Sequence, residues 1–146
     1  MSGKKLLIVI PCYNEEEALP STLKRMETLM NKMLGEKLID KNSRVMFVDD
    51  GSADNTWQIL KKGVGKTPFF EALRLSRNFG HQSAILAGMF DNEADIYVTI
   101  DADLQDDPDC IVEMLQKIKA GADIVYGVRR ERSSDTWFKR VSAQAF

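Results

Sequence analysis

The sequence predicts an α/β domain built on a mostly parallel sheet, and three features of its 146 residues carry that expectation. Short apolar runs alternate with stretches of helical period, the pattern of β-α units joined by right-handed crossovers. The first run, Leu6-Leu7-Ile8-Val9-Ile10, has no polar interruption, as in a strand buried on both faces of a parallel sheet. Each run is followed by a polar cluster, at the carboxyl edge where open parallel sheets bind ligands.

After the first strand, Leu19, Leu23, Met26, Met30 and Met33 recur at helical spacing. Val45-Met46-Phe47-Val48 is the second predicted strand, with a helix over residues 56–62. Ala72-Leu73-Arg74-Leu75 is the third, with a helix over 83–90. Ile96-Tyr97-Val98-Thr99-Ile100 is the fourth, with a helix over 111–120, and Ile124-Val125-Tyr126 is the fifth. The closing stretch SSDTWFKRVSAQAF reads as a helix in progress without a stop signal, as expected of a fragment of a longer protein.

Composition narrows the function classes. A hydrophobic fraction of 44% and a charged fraction of 29% are those of an ordinary globular chain. The net charge of -2 offers no bulk attraction to nucleic acid. Two distant cysteines, Cys12 and Cys110, suggest neither a disulfide framework nor a metal knuckle, and a reducing compartment is the simpler expectation. The single histidine, His81, excludes a multi-histidine metal site. No apolar run reaches membrane-spanning length, and Pro11 with Glu15-Glu16-Glu17 interrupts the brief likeness of the start to a signal peptide.

The polar clusters hold the candidate chemistry. In IDADLQDDPD, Asp101 and Asp103 follow the fourth strand directly. If the chain stays extended, residues two apart face one way, roughly 6.5 Å apart, so Asp101, Asp103 and Gln105 could share a hard cation. Mg²⁺ or Mn²⁺ takes such oxygen ligands together with substrate phosphates. Asp107 before Pro108 reads instead as a helix cap followed by proline in the first turn. In Asp49-Asp50-Gly51-Ser52, neighbouring strand residues point to opposite faces, so one carboxylate at most meets a ligand. It could take the imide N–H of a uracil or a ribose hydroxyl. Gly51 permits a left-handed turn, and Ser52 or Asp54 can cap the next helix.

In Pro11-Cys12-Tyr13-Asn14-Glu15, Tyr13 could stack on a base, or the stretch could simply enter a helix. His81, at the opening of the third helix with Arg77, Asn78 and Gly80, could donate to a diphosphate or be structural. Arg129, Arg130, Arg132, Lys139 and Arg140 lie beside Trp137, Phe138, Val141 and Phe146, a mixture suited to a membrane interface or to packing of a terminal helix.

Taken together and in order, these stretches resemble the family 2 glycosyltransferases of the GT-A fold. VIPCYNEE and VDDGSADNT are similar to the family's two nucleotide-binding stretches and DADLQDDP to its metal-binding D-x-D. LSRNFGHQSAILAG and YGVRRERSSDTWFKR resemble the polyprenyl-phosphate branch, which includes dolichyl- and undecaprenyl-phosphate glycosyltransferases.

The resemblance implies a Rossmann-like catalytic domain over residues 1–146, cut short at its C-terminal end. It implies that Pro11, Tyr13, Glu15 and Asp50 hold the nucleoside, with His81 nearby. Asp101 would contact ribose or phosphate, Asp103 and Gln105 a Mg²⁺ or Mn²⁺ ion, and Arg129 and Arg140 the acceptor phosphate. The implied reaction is inverting transfer of a hexose, first choice from UDP-glucose, to a polyprenyl phosphate at the cytoplasmic membrane face, in the making of an envelope glycan. Membrane attachment would lie in a following part of the protein, and a homo-oligomer is compatible. Hydroxyl acceptors in polysaccharide synthesis, or a nucleotide-binding module without catalysis, are the alternatives. A dinucleotide-binding fold is disfavoured, because no G-x-G-x-x-G follows any strand.

Overall fold

The structure, a computed structural model, describes residues 3–90 and 92–128. The elements run β1 (Leu6–Cys12), α1 (Leu19–Gly35), β2 (Arg44–Asp49), α2 (Thr56–Val64), β3 (Phe70–Arg74), α3 (His81–Phe90), β4 (Ile96–Thr99) and α4 (Cys110–Lys119). The chain divides into two compact units, one ending at Val112 and one beginning at Glu113. The first holds the sheet, whose strand order is β3-β2-β1-β4 with every described pairing parallel.

The apolar patterns follow from strand position. β1 is flanked on both sides, and all seven of its residues are buried, which is why it tolerates no polar side chain. β4 pairs only with β1 among the described residues, and its side chains alternate between half-buried and exposed. Pro11 pairs with Val48 on the β2 side, whereas the β1–β4 ladder ends at Val9 opposite Thr99. Its missing N–H therefore falls beyond the β4 ladder, where proline costs little.

The two faces of the sheet carry different helices. Leu7, Val9, Met46 and Val48 pack with Ala84 of α3 in one cluster. A methyl group on Gly88 would lie 2.6 Å from Val9 Cγ1 and 2.9 Å from Val48 Cγ2, so this glycine lets α3 lie close on the sheet. By alternation, Leu6, Ile8 and Ile10 belong to the opposite face. α1 buries Leu19, Met26, Met30 and Met33 as its periodicity predicts, with Thr22 and Leu29 on the same stripe, while Leu23 is only half-buried.

Two sequence expectations need correction. The third strand begins earlier, at Phe70, because Phe70 packs edge-on to both Phe47 and Phe69, with ring centroids 5.2 Å apart in each case. The fifth predicted strand, residues 124–126, does not form in the structure. Residues 124–128 pair with no strand, and Ile124 and Tyr126 are exposed. Local β-propensity does not make a strand without a ladder to join. The predicted terminal helix and its cations lie outside the described residues.

Candidate functional site

The loops after β1, β2 and β4 and the start of α3 meet in one cleft of about 400 Å³. Its walls are Pro11, Cys12, Tyr13, Glu15, Asp50, Asn78, Gly80, His81, Asp101, Ala102 and Asp103. Parallel strands carry their carboxyl ends to one edge, so residues up to 92 positions apart in sequence line a single wall.

The first two loops are stitched together by side chains that do not reach the cleft. The Asn14 N–H donates to Ser52 Oγ at 2.9 Å, and Asn14 Oδ1 accepts from the Ala53 N–H at 2.9 Å. Asn14 adopts φ 50°, a left-handed conformation that asparagine tolerates. The Glu15 N–H donates to Thr56 Oγ1. Asp54 accepts from the Thr56 N–H and hydroxyl and from the Glu16 N–H, while Glu16 accepts from the Asn55 N–H. Asp54 thus serves the start of α2, as the sequence suggests, and Ser52 instead anchors the β1 loop.

The adjacent aspartates separate as strand geometry requires. Asp49 is fully buried, accepts from the Ser52 N–H at 3.0 Å and sits 3.2 Å from Arg74 Nε. Arg74 in turn lies over the Trp57 ring. Asp50 faces the cleft, and its two oxygens accept from the Phe79 and Gly80 N–H groups at 2.7 and 3.0 Å. Those amides precede α3, so Asp50 supplies acceptors to a helix start lacking partners of its own. Gly51, at φ +70°, makes this docking possible: a methyl group there would lie 2.4 Å from the Arg77 carbonyl carbon.

The acidic loop departs from the extended geometry expected of it. The chain turns after Asp101, with the Leu104 N–H donating to Asp101 O at 3.2 Å and Leu104 at φ 47°. Asp101 and Asp103 still line the cleft, but Gln105 is not among its walls. The Gln105 N–H donates to Asp103 Oδ1 at 3.2 Å instead. Asp107 accepts from the Asp109 N–H just before α4, in keeping with its capping assignment. His81 opens α3 as predicted, with Nε2 3.7 Å from Asp101 Oδ1. Arg129 and Arg140 lie outside the described residues.

Electrostatically, Glu15, Asp50, Asp101 and Asp103 face one histidine across this cleft. Burial raises the Glu15 carboxyl above its usual value of 4.5, and the charges of Asp103, Asp101 and Asp54 raise it further. Burial, with Glu15 and Asp49 nearby, also pushes the Cys12 thiol far up, leaving it no ready thiolate. Among the described residues no group of three or more His, Cys, Asp or Glu side chains forms a ready-made metal cage. Crowded carboxylates without a closed cage suit Mg²⁺ or Mn²⁺, which bind through one or two carboxylates and complete their shells with water and substrate phosphate.

Sequence reasoning overlooked Thr22 and Arg25, which reach the acidic loop from α1. The available signal was a threonine on the buried stripe, three positions from Leu19 and four from Met26.

Comparison with known proteins agrees with this architecture. Residues 7–145 match the sequence profile described as glycosyl transferase family 2. The chain is 43% identical over 143 residues to the glycosyltransferase YkoT of Bacillus subtilis, covering 97% of this chain and 42% of that protein. It therefore spans about two-fifths of that relative's length. The mannosyltransferase PcManGT of Pyrobaculum calidifontis, solved with GDP-Man and Mn²⁺, superposes with a TM-score of 0.66 at 20% identity, over 90% of this chain and 37% of that one. Glucosyl-3-phosphoglycerate synthase of Mycobacterium tuberculosis, solved with Mn²⁺, UDP and glucosyl-3-phosphoglycerate, gives a TM-score of 0.52 at 20% identity, over 68% of this chain and 34% of that one. The four-stranded parallel sheet flanked by helices is that of the GT-A fold.

Proposed function

The chain belongs to glycosyl transferase family 2, and from that premise we propose that it takes part in inverting transfer of a hexose from a nucleotide-diphosphate sugar to a polyprenyl phosphate at the cytoplasmic membrane face. The observation that carries the donor part is the single cleft joining Tyr13, Glu15 and Asp50 to Asp101 and Asp103. The cleft brings together a half-exposed aromatic ring suited to a nucleoside and carboxylates suited to a cation and its phosphates. UDP-glucose is the first-choice donor. UDP-N-acetylglucosamine and GDP-mannose stand behind it; the UDP complex of the glucosyl-3-phosphoglycerate synthase supports UDP, and the GDP-Man complex of PcManGT keeps GDP-mannose in view.

In this reading Tyr13 stacks on the base, and Asp50 accepts from the base or ribose through lone pairs not used by Phe79 and Gly80. His81 donates toward the diphosphate, held near Asp101 at the start of α3. Asp103, steadied by the Gln105 N–H, is the metal ligand, with Asp101 beside it. A bound Mg²⁺ or Mn²⁺ supplies neutralisation of the charge that grows on the leaving nucleoside diphosphate.

The acceptor assignment rests on the resemblance of the 126–140 stretch and on proton chemistry. A phosphate monoester has a second pKa of about 6, so its oxygen arrives ionised and needs positioning by Arg129 and Arg140 more than a general base. A sugar hydroxyl acceptor needs a base. The test is transfer of labelled glucose by the full-length protein from UDP-glucose to undecaprenyl phosphate or to oligosaccharides. Label in the lipid extract supports the reading, and label only in oligosaccharide overturns the acceptor.

A further inference from the structure

We propose that Thr22 and Arg25, on neighbouring turns of α1, are positioning residues that set the acidic loop over 101–109 for metal binding, an inference that rests on the metal reading of the cleft. Thr22 is only 1% exposed, and its hydroxyl lies 2.5 Å from the Ala102 carbonyl oxygen and 3.1 Å from that of Ala18. One hydroxyl has one proton to donate, and the nearer acceptor is Ala102, the residue between the two carboxylates. The Ala102 methyl is buried as well. With carbonyl and methyl both fixed, the chain turns so that Asp101 and Asp103 line the cleft.

The far end of the loop is tied to the same helix. Arg25 Nη2 lies 2.8 Å from Asp107 Oδ1 and 3.2 Å from Asp109 Oδ2. All three side chains are about half exposed or more, so these pairs contribute little stability. They limit where the loop can go. Glu15 belongs to the same frame, since its carbonyl accepts from the Leu19 N–H at 3.0 Å at the start of α1. α1 therefore references Glu15, Asp101 and Asp103 to one rigid element. Groups that orient metal ligands in this way typically change metal affinity 10–100-fold when removed.

The experiment uses the whole protein and three variants. Thr22→Val keeps the side-chain shape and deletes the donor, Thr22→Ser keeps the donor, and Arg25→Gln removes the exposed tether. Free Mn²⁺ is followed by electron paramagnetic resonance in the presence of UDP, UDP affinity is measured separately in EDTA, and thermal melts verify folding. Thr22→Val is expected to weaken Mn²⁺ binding about 10–100-fold, leaving UDP affinity in EDTA unchanged. Thr22→Ser stays near wild type, and Arg25→Gln shows a smaller loss. Folded Thr22→Val with wild-type Mn²⁺ affinity overturns the role of Thr22, and folded Arg25→Gln with wild-type affinity overturns that of Arg25. If wild type binds no Mn²⁺, the metal reading fails. Amide exchange at 102–105 then judges the loop's anchorage alone: no acceleration in Thr22→Val overturns that too.

Discussion

Glu15 shows what the cleft costs the fold at the scale of one residue. Its carboxyl is buried in part and faces Asp103, Asp101 and Asp54, so its pKa in the folded chain stands above the ordinary 4.5. The folded state therefore holds this proton to higher pH than the unfolded state does. As pH rises from 4.5 through the higher folded pKa, the folded state loses stability from this group, and the full penalty is present above that pKa. Glu15→Gln is expected to raise the melting temperature at pH 7 and to narrow its gain as pH falls toward 4.5. The same substitution should weaken UDP binding in Mn²⁺. Melts from pH 4 to 8 with parallel titrations check both; a Glu15→Gln protein less stable than wild type at pH 7 contradicts the repulsion. Asp54 has the opposite sign. Burial pushes its pKa up, but the Thr56 hydroxyl, the Thr56 N–H and the Glu16 N–H outweigh that and hold it below 3.8. Its contribution is present above that value and lost as pH falls below it.

At the scale of elements, two glycines set how closely chain segments approach. Gly51→Ala places a methyl group 2.4 Å from backbone in the Arg77–Asn78 segment, at a φ of +70°. Left-handed strain of about 1–2 kcal/mol and overpacking of about 1–3 kcal/mol combine to a predicted loss of about 2–5 kcal/mol, read from urea unfolding. A loss below about 1 kcal/mol in folded protein contradicts the docking of the β2–α2 turn on the start of α3. The helices and the strands β1, β2 and β4 were legible in the sequence because their apolar spacing is local. The start of β3 was not, since pairing with β2 and the edge-on packing of Phe70 against Phe47 decide it. The stretch over 124–126 misled because β-branched and aromatic side chains advertise a strand whether or not a neighbour exists. The polar edge was legible as a list of residues. Its geometry was not: the left-handed turn at Leu104 has no glycine or asparagine to announce it. Nor does sequence reveal that the Asp50 oxygens also hold the Phe79 and Gly80 amides.

At the scale of the whole molecule, the proposed function makes the described part of the chain the donor side of the site. A parallel sheet collects Tyr13, Glu15, Asp50, His81, Asp101 and Asp103 along one edge, and no described helix is long and apolar enough to cross a membrane. The acceptor-side arginines proposed above belong to residues outside the description. On this reading the cleft binds a nucleoside diphosphate through a divalent cation held by Asp103. The most direct test is isothermal titration of UDP, and then GDP, into the protein with Mn²⁺ and with EDTA, repeated on Asp103→Asn. Binding is expected to weaken at least about tenfold, or about 1.4 kcal/mol, on adding EDTA, and by a similar factor in Asp103→Asn, with UDP preferred over GDP. Preference for GDP would replace the donor base and keep the site. Binding by folded protein that is indifferent to EDTA and to Asp103→Asn would contradict the claim.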